Sequence, residues 1–187
     1  LLMFKQWWVI VFLGVSFVHA EQRYFVEPEP LEGSEFRDLL SQVGPELIMA
    51  GQPTVLGLRQ MAQQGVTMVI NLRTMREMND RSVVPFDEAA EVSQLGLTYV
   101  HLPSGGAQSP YSRAIVDQFA KALEQADGPV LLHCTVGWRA SHLWVAYLVA
   151  YEQMPLPKAL DIARQLNFGD LPVEGFLGQP LTLTPIH

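Results

Sequence analysis

The sequence predicts a three-layer α/β domain built around a central, mostly parallel sheet. Apolar strand-like segments alternate with amphipathic helical ones, and short Gly, Pro and Asp signals separate them. One segment, PVLLHC from Pro129 to Cys134, is apolar without alternation, as a strand covered on both faces must be. At 187 residues the chain is long enough for one domain with a complete core, and no linker or internal repeat divides it.

The elements follow in order. Residues 1–20, LLMFKQWWVIVFLGVSFVHA, place Lys5 before an apolar run from Trp7 to Val18 and end on small Ala20, which is the layout of a secretory signal peptide. The run is short for a membrane span, and an uncleaved N-terminal anchor is the other reading. The expected location is therefore periplasmic or secreted, with no stable membrane association once the signal is cleaved. Residues 21–45, which contain Glu27-Pro28-Glu29-Pro30, read as an extended lead-in, and residues 46–175 as the folded domain.

Within that domain Thr54 caps a helix with Leu56, Met61 and Ala62 on its apolar side and a stop at Gly65; the strand VTMVINL follows. A second helix runs from about Pro85 to Leu95, stops at Gly96 and leads into the strand LTYVHL. Ser109-Pro110 opens a third helix that reaches about Ala126, and Asp127-Gly128 turns the chain into PVLLHC. RASHLWVAYLVAYEQ is apolar nearly all round, as a helix packed centrally against a sheet would be. After Pro155 and Pro157 comes the helix PKALDIARQLN, and residues 176–187 read as an irregular tail.

Composition narrows the function. A formal charge of -7, without basic residues interleaved with aromatics, argues against nucleic acid as a partner. There is no CxxC, HExxH or His/Cys cluster, so neither a metal site nor a cofactor has support. The single cysteine, Cys134, cannot form an intrachain disulfide.

Cys134 stands at the end of the central strand and just before a helix, where α/β sheets bind their ligands. A lone cysteine after an apolar strand is by itself most often a core residue. The residues that follow favour a reactive one: Gly137 permits a tight curl, the amides of Thr135, Val136, Gly137, Trp138 and Arg139 then point into a common space, and Arg139 adds a planar cation. A helix N-terminus and a nearby arginine lower a cysteine pKa from about 8.5 into the range of roughly 3.5–7.5.

The segment HCTVGWRAS, His133 to Ser141, resembles the active-site loop of the cysteine-dependent phosphatases, whose signature is His-Cys, five residues and Arg. A nearer resemblance is to the bacterial family of beta-lactamase hydrolase-like, phosphatase-like domains. It rests on Gly51-Gln52-Pro53, Ile70 to Arg73, His101 to Pro103, the Cys-x-x-Gly-x-Arg loop from Cys134 to Arg139, and Leu143-Trp144, spanning about residues 46–168. The resemblance implies a phosphotyrosine-phosphatase-like fold of the dual-specificity type. It also implies Cys134 as nucleophile, Arg139 with the loop amides as the anion site, and His133 tuning the thiolate. The alternative for His133 is a strand-end histidine bonded to a nearby carbonyl.

Three departures from the phosphatase pattern matter. Only Thr135, Val136, Gly137 and Trp138 separate Cys134 from Arg139, one residue fewer than in the signature and the length that resembles the rhodanese loop. The segment PSGGAQSPYS, where the dual-specificity phosphatases carry a general-acid aspartate, has no Asp or Glu; Asp80 and Asp87 are the substitutes, and each also reads as a loop or helix-cap residue. Ala140 stands where a hydroxyl usually follows the arginine, so Ser141 either takes that role or faces the helix. Arg73 and Arg76 form a second basic group that either widens the anion field or is a solvated loop, and Trp138 is either a lid or a packing residue.

The leading expectation is an exported phosphatase acting through a phosphocysteine on a phosphorylated small molecule or protein. The alternatives are a rhodanese-like sulfurtransferase that receives sulfur from a sulfur-carrying small molecule or protein and holds it as a persulfide on Cys134, and a catalytically weak anion-binding module.

Overall fold

The computed structural model describes residues 23–169 and 172–180. The expected signal segment 1–20 and most of the expected tail lie outside them. Among the described residues six strands form one sheet: β1 (Glu29–Pro30), β2 (Leu40–Gly44), β3 (Leu47–Ala50), β4 (Met68–Asn71), β5 (Thr98–His101) and β6 (Val130–His133), in the order β1-β2-β3-β6-β4-β5. The pairs β3–β6, β6–β4 and β4–β5 are parallel, whereas β1–β2 and β2–β3 are antiparallel. The mostly parallel sheet expected from sequence is thus present, with an antiparallel edge.

Strand alternation sorts the core into two layers. Ile48, Ala50, Val69 and Leu131 face a cluster with Leu58 and Met61 of helix α1 (Val55–Gln63) and Val92 of helix α3 (Glu88–Gln94). Leu47, Met49, Met68, Ile70, Val130 and Leu132 face the other way, toward helices α4 (Arg113–Glu124), α5 (Trp138–Ala150), α6 (Leu156–Ala163) and α7 (Val173–Leu177). Helix α5 is buried over most of its length, with Trp144 fully enclosed. No helix among the described residues is long and apolar enough to cross a membrane.

Several boundaries differ from expectation. Residues 21–45 are no mere lead-in: the segment contributes β1 and β2, Tyr24 donates its hydroxyl to Leu123 O (2.7 Å), and Trp144 Nε1 donates to Tyr24 O (3.0 Å). The short strands lack the β-branched density that marks β4, and β3 is completed only by its distant partner β6. Helix α4 begins at Arg113 rather than at Ser109-Pro110, because Ser109 O accepts from Gly105 N (2.6 Å) and closes a loop there. Leu56, expected on the buried side of α1, is 52% exposed; Leu58 and Met61 take the core side. The tail starts later than residue 176, since α7 runs to Leu177 and buries Phe176. A short helix, α2 (Met75–Asn79), lies between β4 and α3 in addition to the expected elements.

Candidate active site

The parallel register carries Ala50, Asn71 and His133 to the same level of the sheet, and the connections beyond them form the site. Cys134 follows directly from β6. Its thiol is free and almost wholly buried, but it lines a cavity of about 860 Å³ with Thr135, Val136, Trp138 and Arg139.

The loop is shaped by contacts that require glycine at two places. Gly137, the residue before α5, has φ 83°, and a Cβ there would lie 2.2 Å from Leu39 Cδ2. A Cβ on Gly51 would lie 1.7 Å from Arg37 O and 3.1 Å from Thr135 O, which accounts for the glycine of the Gly51-Gln52-Pro53 motif. Gln52 N then donates to Thr135 O (3.0 Å), and Asn167 Nδ2 to Val136 O (2.9 Å). Thus anchored, the loop runs into α5, whose first N–H groups have no partner one turn earlier and are available to an anion.

Arg139 is held by a carboxylate that the sequence reading missed. Glu77 accepts from Arg139 through both oxygens, at 2.6 Å from Nη2 and 2.9 Å from Nη1. Nη2 also donates to Thr135 Oγ1 (2.9 Å), and Nη1 to Ser104 O (2.9 Å) and Leu72 O (3.2 Å). Burial alone would raise the Glu77 carboxyl, but hydrogen bonds from Arg139, the Thr74 backbone and Thr135 outweigh it and hold the group well below the usual carboxylate range. The available signal was the spacing Thr74-x-x-Glu77. It makes a capping box at the start of α2, with Thr74 N donating to Glu77 Oε2 (2.8 Å) and Glu77 N donating to Thr74 Oγ1 (3.3 Å).

Arg73 sits on the other side of Glu77. It is 2% exposed, so the solvated-loop reading does not hold for it, whereas Arg76 is exposed and lines the cavity. Arg73 Nη1 donates to Gln52 Oε1 (2.7 Å).

His133, the last residue of β6 and next to the cysteine, is fully buried. Its Nε2 meets Glu88 Oε1 at 3.0 Å, and its Nδ1 lies 3.4 Å from Cys134 O. Glu88 also accepts from Gln52 Nε2 (2.6 Å) and Asn71 Nδ2 (2.7 Å). Burial pushes the Glu88 carboxyl up, yet the charge of His133 and hydrogen bonds from His133, Gln52 and Tyr99 prevail and bring it down to about 2. His133 is therefore joined to a buried polar network as well as to the neighbouring carbonyl.

The remaining expected residues are dispersed. Ser141 Oγ lies 2.8 Å from Trp138 O and 2.9 Å from Asn167 O, so its one proton is shared between two carbonyls at the start of α5; of the two readings of Ser141, this favours the one in which it faces the helix. Trp138 is half-buried at the cavity wall and meets the His142 ring edge-on at 5.1 Å between centroids. Asp87 caps α3 through Ala90 N (3.1 Å) and is not part of the cavity wall. Asp80 does line the cavity, but hydrogen bonds from Ser82 Oγ (2.6 Å) and Ser82 N (3.0 Å) lower its carboxyl, leaving it a poor proton donor. The loop with the missing acid contributes Gly105, Gly106, Ala107, Gln108, Ser109 and Tyr111 to the wall. Burial raises the Tyr111 hydroxyl above its ordinary value. Among the described residues no group of His, Cys, Asp and Glu is arranged to hold a metal.

Known proteins resemble this chain in sequence and in fold. A family model described as the phosphatase-like domain of the beta-lactamase hydrolase-like protein matches residues 38–149. Dual specificity protein phosphatase 26 of Bos taurus is 30% identical over 143 residues, which are 76% of this chain but only 65% of that protein, so the chain spans just under two thirds of the relative's length. The beta-lactamase hydrolase-like protein of Agrobacterium fabrum is 28% identical over 104 residues, 56% of this chain and 23% of that one. Among solved structures, the DUF442 protein of Shewanella putrefaciens CN-32 matches with a TM-score of 0.61 at 29% identity, over 76% of this chain and 90% of that chain. P. aeruginosa TpbA, in complex with pTyr, matches with a TM-score of 0.57 over 79% of this chain and 80% of that chain; at 17% identity it shows the shared fold alone.

Proposed function

This chain belongs to the family of beta-lactamase hydrolase-like protein, phosphatase-like domains, and from that premise we propose that it is a cysteine-dependent phosphatase acting through a phosphocysteine. The observation that carries the proposal is the shared cavity: a free Cys134 at the end of β6 opens into the space lined by Arg139, whose two Nη atoms Glu77 fixes.

In the reaction, the Cys134 thiolate attacks phosphorus and an S–P bond forms as the ester P–O bond breaks. The leaving oxygen departs as an anion or takes a proton. Water then attacks the phosphocysteine, the S–P bond breaks, and inorganic phosphate and the thiolate are released. The Arg139 charge, with Nε–H as the donor not already given to Glu77, Thr135, Ser104 and Leu72, and the first amides of α5 are fixed in advance beside Cys134, so little reorganisation accompanies the charge that develops on the phosphoryl oxygens.

Residues 104–112 bring no carboxyl group to the leaving oxygen. The Tyr111 hydroxyl, which burial raises above its ordinary value, is the donor we assign to that side of the cavity. A phenol is a weaker acid than a carboxyl, so aryl phosphates, whose leaving anions need less help, should be hydrolysed faster than alkyl phosphates. Phosphotyrosine, the group bound by P. aeruginosa TpbA, is of the aryl class. Tyr111→Phe should slow alkyl phosphates more than aryl ones; equal slowing of both classes would remove the assignment.

The test of the reaction uses full-length protein and Cys134→Ser, each with an aryl phosphate and, separately, with thiosulfate and cyanide. Cys134-dependent release of phosphate supports the proposal. Turnover confined to thiosulfate would favour a persulfide on Cys134, for which the short Cys134–Arg139 spacing speaks. Equal rates for both proteins in both assays would leave an anion-binding module. Export belongs to the same proposal and rests on the layout of residues 1–20. Recovery from periplasm or medium supports it, and retention in the cytoplasm overturns it.

A further inference from the structure

We propose that Arg73 forms a second anion subsite where two cavities meet, and that the preferred substrates carry another anionic group, phosphate or carboxylate, across a short apolar spacer from the scissile phosphate. This rests on the phosphatase reading of the Cys134 cavity and names the substrate class for that site.

The first observation is a buried cation short of acceptors. Arg73 is 2% exposed, and its Nε has no hydrogen-bond partner. The closest ion-pair oxygen, Glu77 Oε1, is 3.5 Å away and already accepts from Arg139 Nη2 (2.6 Å) and Thr135 Oγ1 (2.9 Å). One carboxylate is therefore divided between two guanidiniums, and Arg139 takes the better geometry. A planar guanidinium left in this state is suited to a bidentate oxyanion.

The second observation is the shape around it. Arg73 and Val83 line the Cys134 cavity and also a neighbouring cavity of about 490 Å³. Pro53, Pro85 and Phe86 give that neighbour an apolar wall, and Arg37 stands on it as a second cation. A ligand with its phosphomonoester at Cys134 can pass an apolar spacer over Val83 and set its other anion between Arg73 and Arg37. The third observation is charge: Arg37, Arg73, Arg76 and Arg139 line the two cavities against only Glu77 and Asp80, in a chain whose formal net charge is -7. The local sign is opposite to that of the whole molecule and attracts a polyanion.

The test measures binding by calorimetry to full-length Cys134→Ser, which cannot turn substrate over. The probes are inorganic phosphate, alkyl monophosphates, and α,ω-alkane bisphosphates of matched chain lengths. At the best spacer length the bisphosphate should bind about tenfold more tightly than its monophosphate, the gain expected of one added charge-assisted pair. Arg37→Ala should shrink that ratio, and Arg73→Met should abolish it. If the methionine variant does not fold, Arg73→Lys keeps the buried charge without the planar fork and should still lose most of the gain. Equal affinities of mono- and bisphosphates at every length would overturn the subsite while leaving the phosphatase reading in place. Failure of inorganic phosphate and every ester to bind would overturn the Cys134 anion site itself, and the subsite with it.

Discussion

The Cys134 loop has a front and a back, and a fully buried histidine stands on each side. At the front, His133 pairs with Glu88, and the Glu77 carboxylate joins Arg73 and Arg139. At the back, His142 is stacked on Phe168 at 4.1 Å and meets Trp138 edge-on, and its ring nitrogens face the backbone N–H groups of Val173 (3.2 Å) and Gly169 (3.4 Å). Burial pushes the His142 imidazole down to about 3, so this ring is neutral where Glu88 is ionised. Both histidines are buried, yet ions are gathered and paired on the side from which the arginine is held. The other side is a neutral wedge that sets where α5 begins. Loss of charge at the front should therefore be costly, and gain of charge at the back should be costly for the opposite reason.

The largest effect is expected at the front. Glu88→Ala leaves His133, Asn71 and Gln52 without their common acceptor and should cost about 3–5 kcal/mol in chemical denaturation, as removal of one partner of a buried pair does. A loss below about 1 kcal/mol would mean that the network contributes little to holding the loop.

The back should respond to acid. The folded pKa of His142, about 3, lies below the ordinary 6.5, so the unfolded chain binds the proton more tightly. The stabilisation is complete above pH 6.5 and is lost as pH falls toward 3, at up to about 1.4 kcal/mol per pH unit. Between pH 6.5 and 4.5 the loss precedes that of the carboxylates whose values are lowered from 4.5, Glu77 and Glu88. His142→Phe keeps an aromatic ring between Trp138 and Phe168 and should flatten stability against pH across that interval. An unchanged slope would place the acid sensitivity elsewhere.

Two smaller effects sharpen the division. Ser141→Ala removes the hydroxyl bonded to Trp138 O and Asn167 O and should cost about 1 kcal/mol while kcat stays within about twofold. A large fall in kcat with phosphocysteine accumulating would return Ser141 to the chemistry. Asp87→Asn, which keeps a good cap on α3, should change stability by only a few tenths of a kcal/mol and leave the pH–rate profile unmoved. Loss of the acid limb of the profile would make Asp87 the general acid after all.

The back of this comparison was less visible in sequence than the front. Cys134, Gly137 and Arg139 fall within one short stretch of chain, and β4 and β6 are apolar enough to announce themselves, so the strand, loop and helix were legible together. Glu77 was not, because α2 is too short to show helical periodicity and its carboxylate meets Arg139 only after the sheet is assembled. The same holds for β1 and β2: their polar, proline-containing segment reads as a lead-in until β3, completed by β6, offers β2 an edge. Asp80 and Asp87 show the reverse limit, for the sequence marks a carboxylate but not whether its lone pairs are already taken by Ser82 or Ala90. His142 carried no sequence signal, since its neutrality depends on Phe168 and Trp138 closing around it.

The central claim is that phosphorus becomes bonded to Cys134 during turnover. Full-length protein mixed with an aryl phosphate, quenched in acid within the first turnover and digested, should yield the peptide containing Cys134 heavier by one phosphoryl group, with none in Cys134→Ser. Steady phosphate release from the wild-type protein, with no such adduct at any quench time and none trapped when breakdown is slowed, would contradict the account.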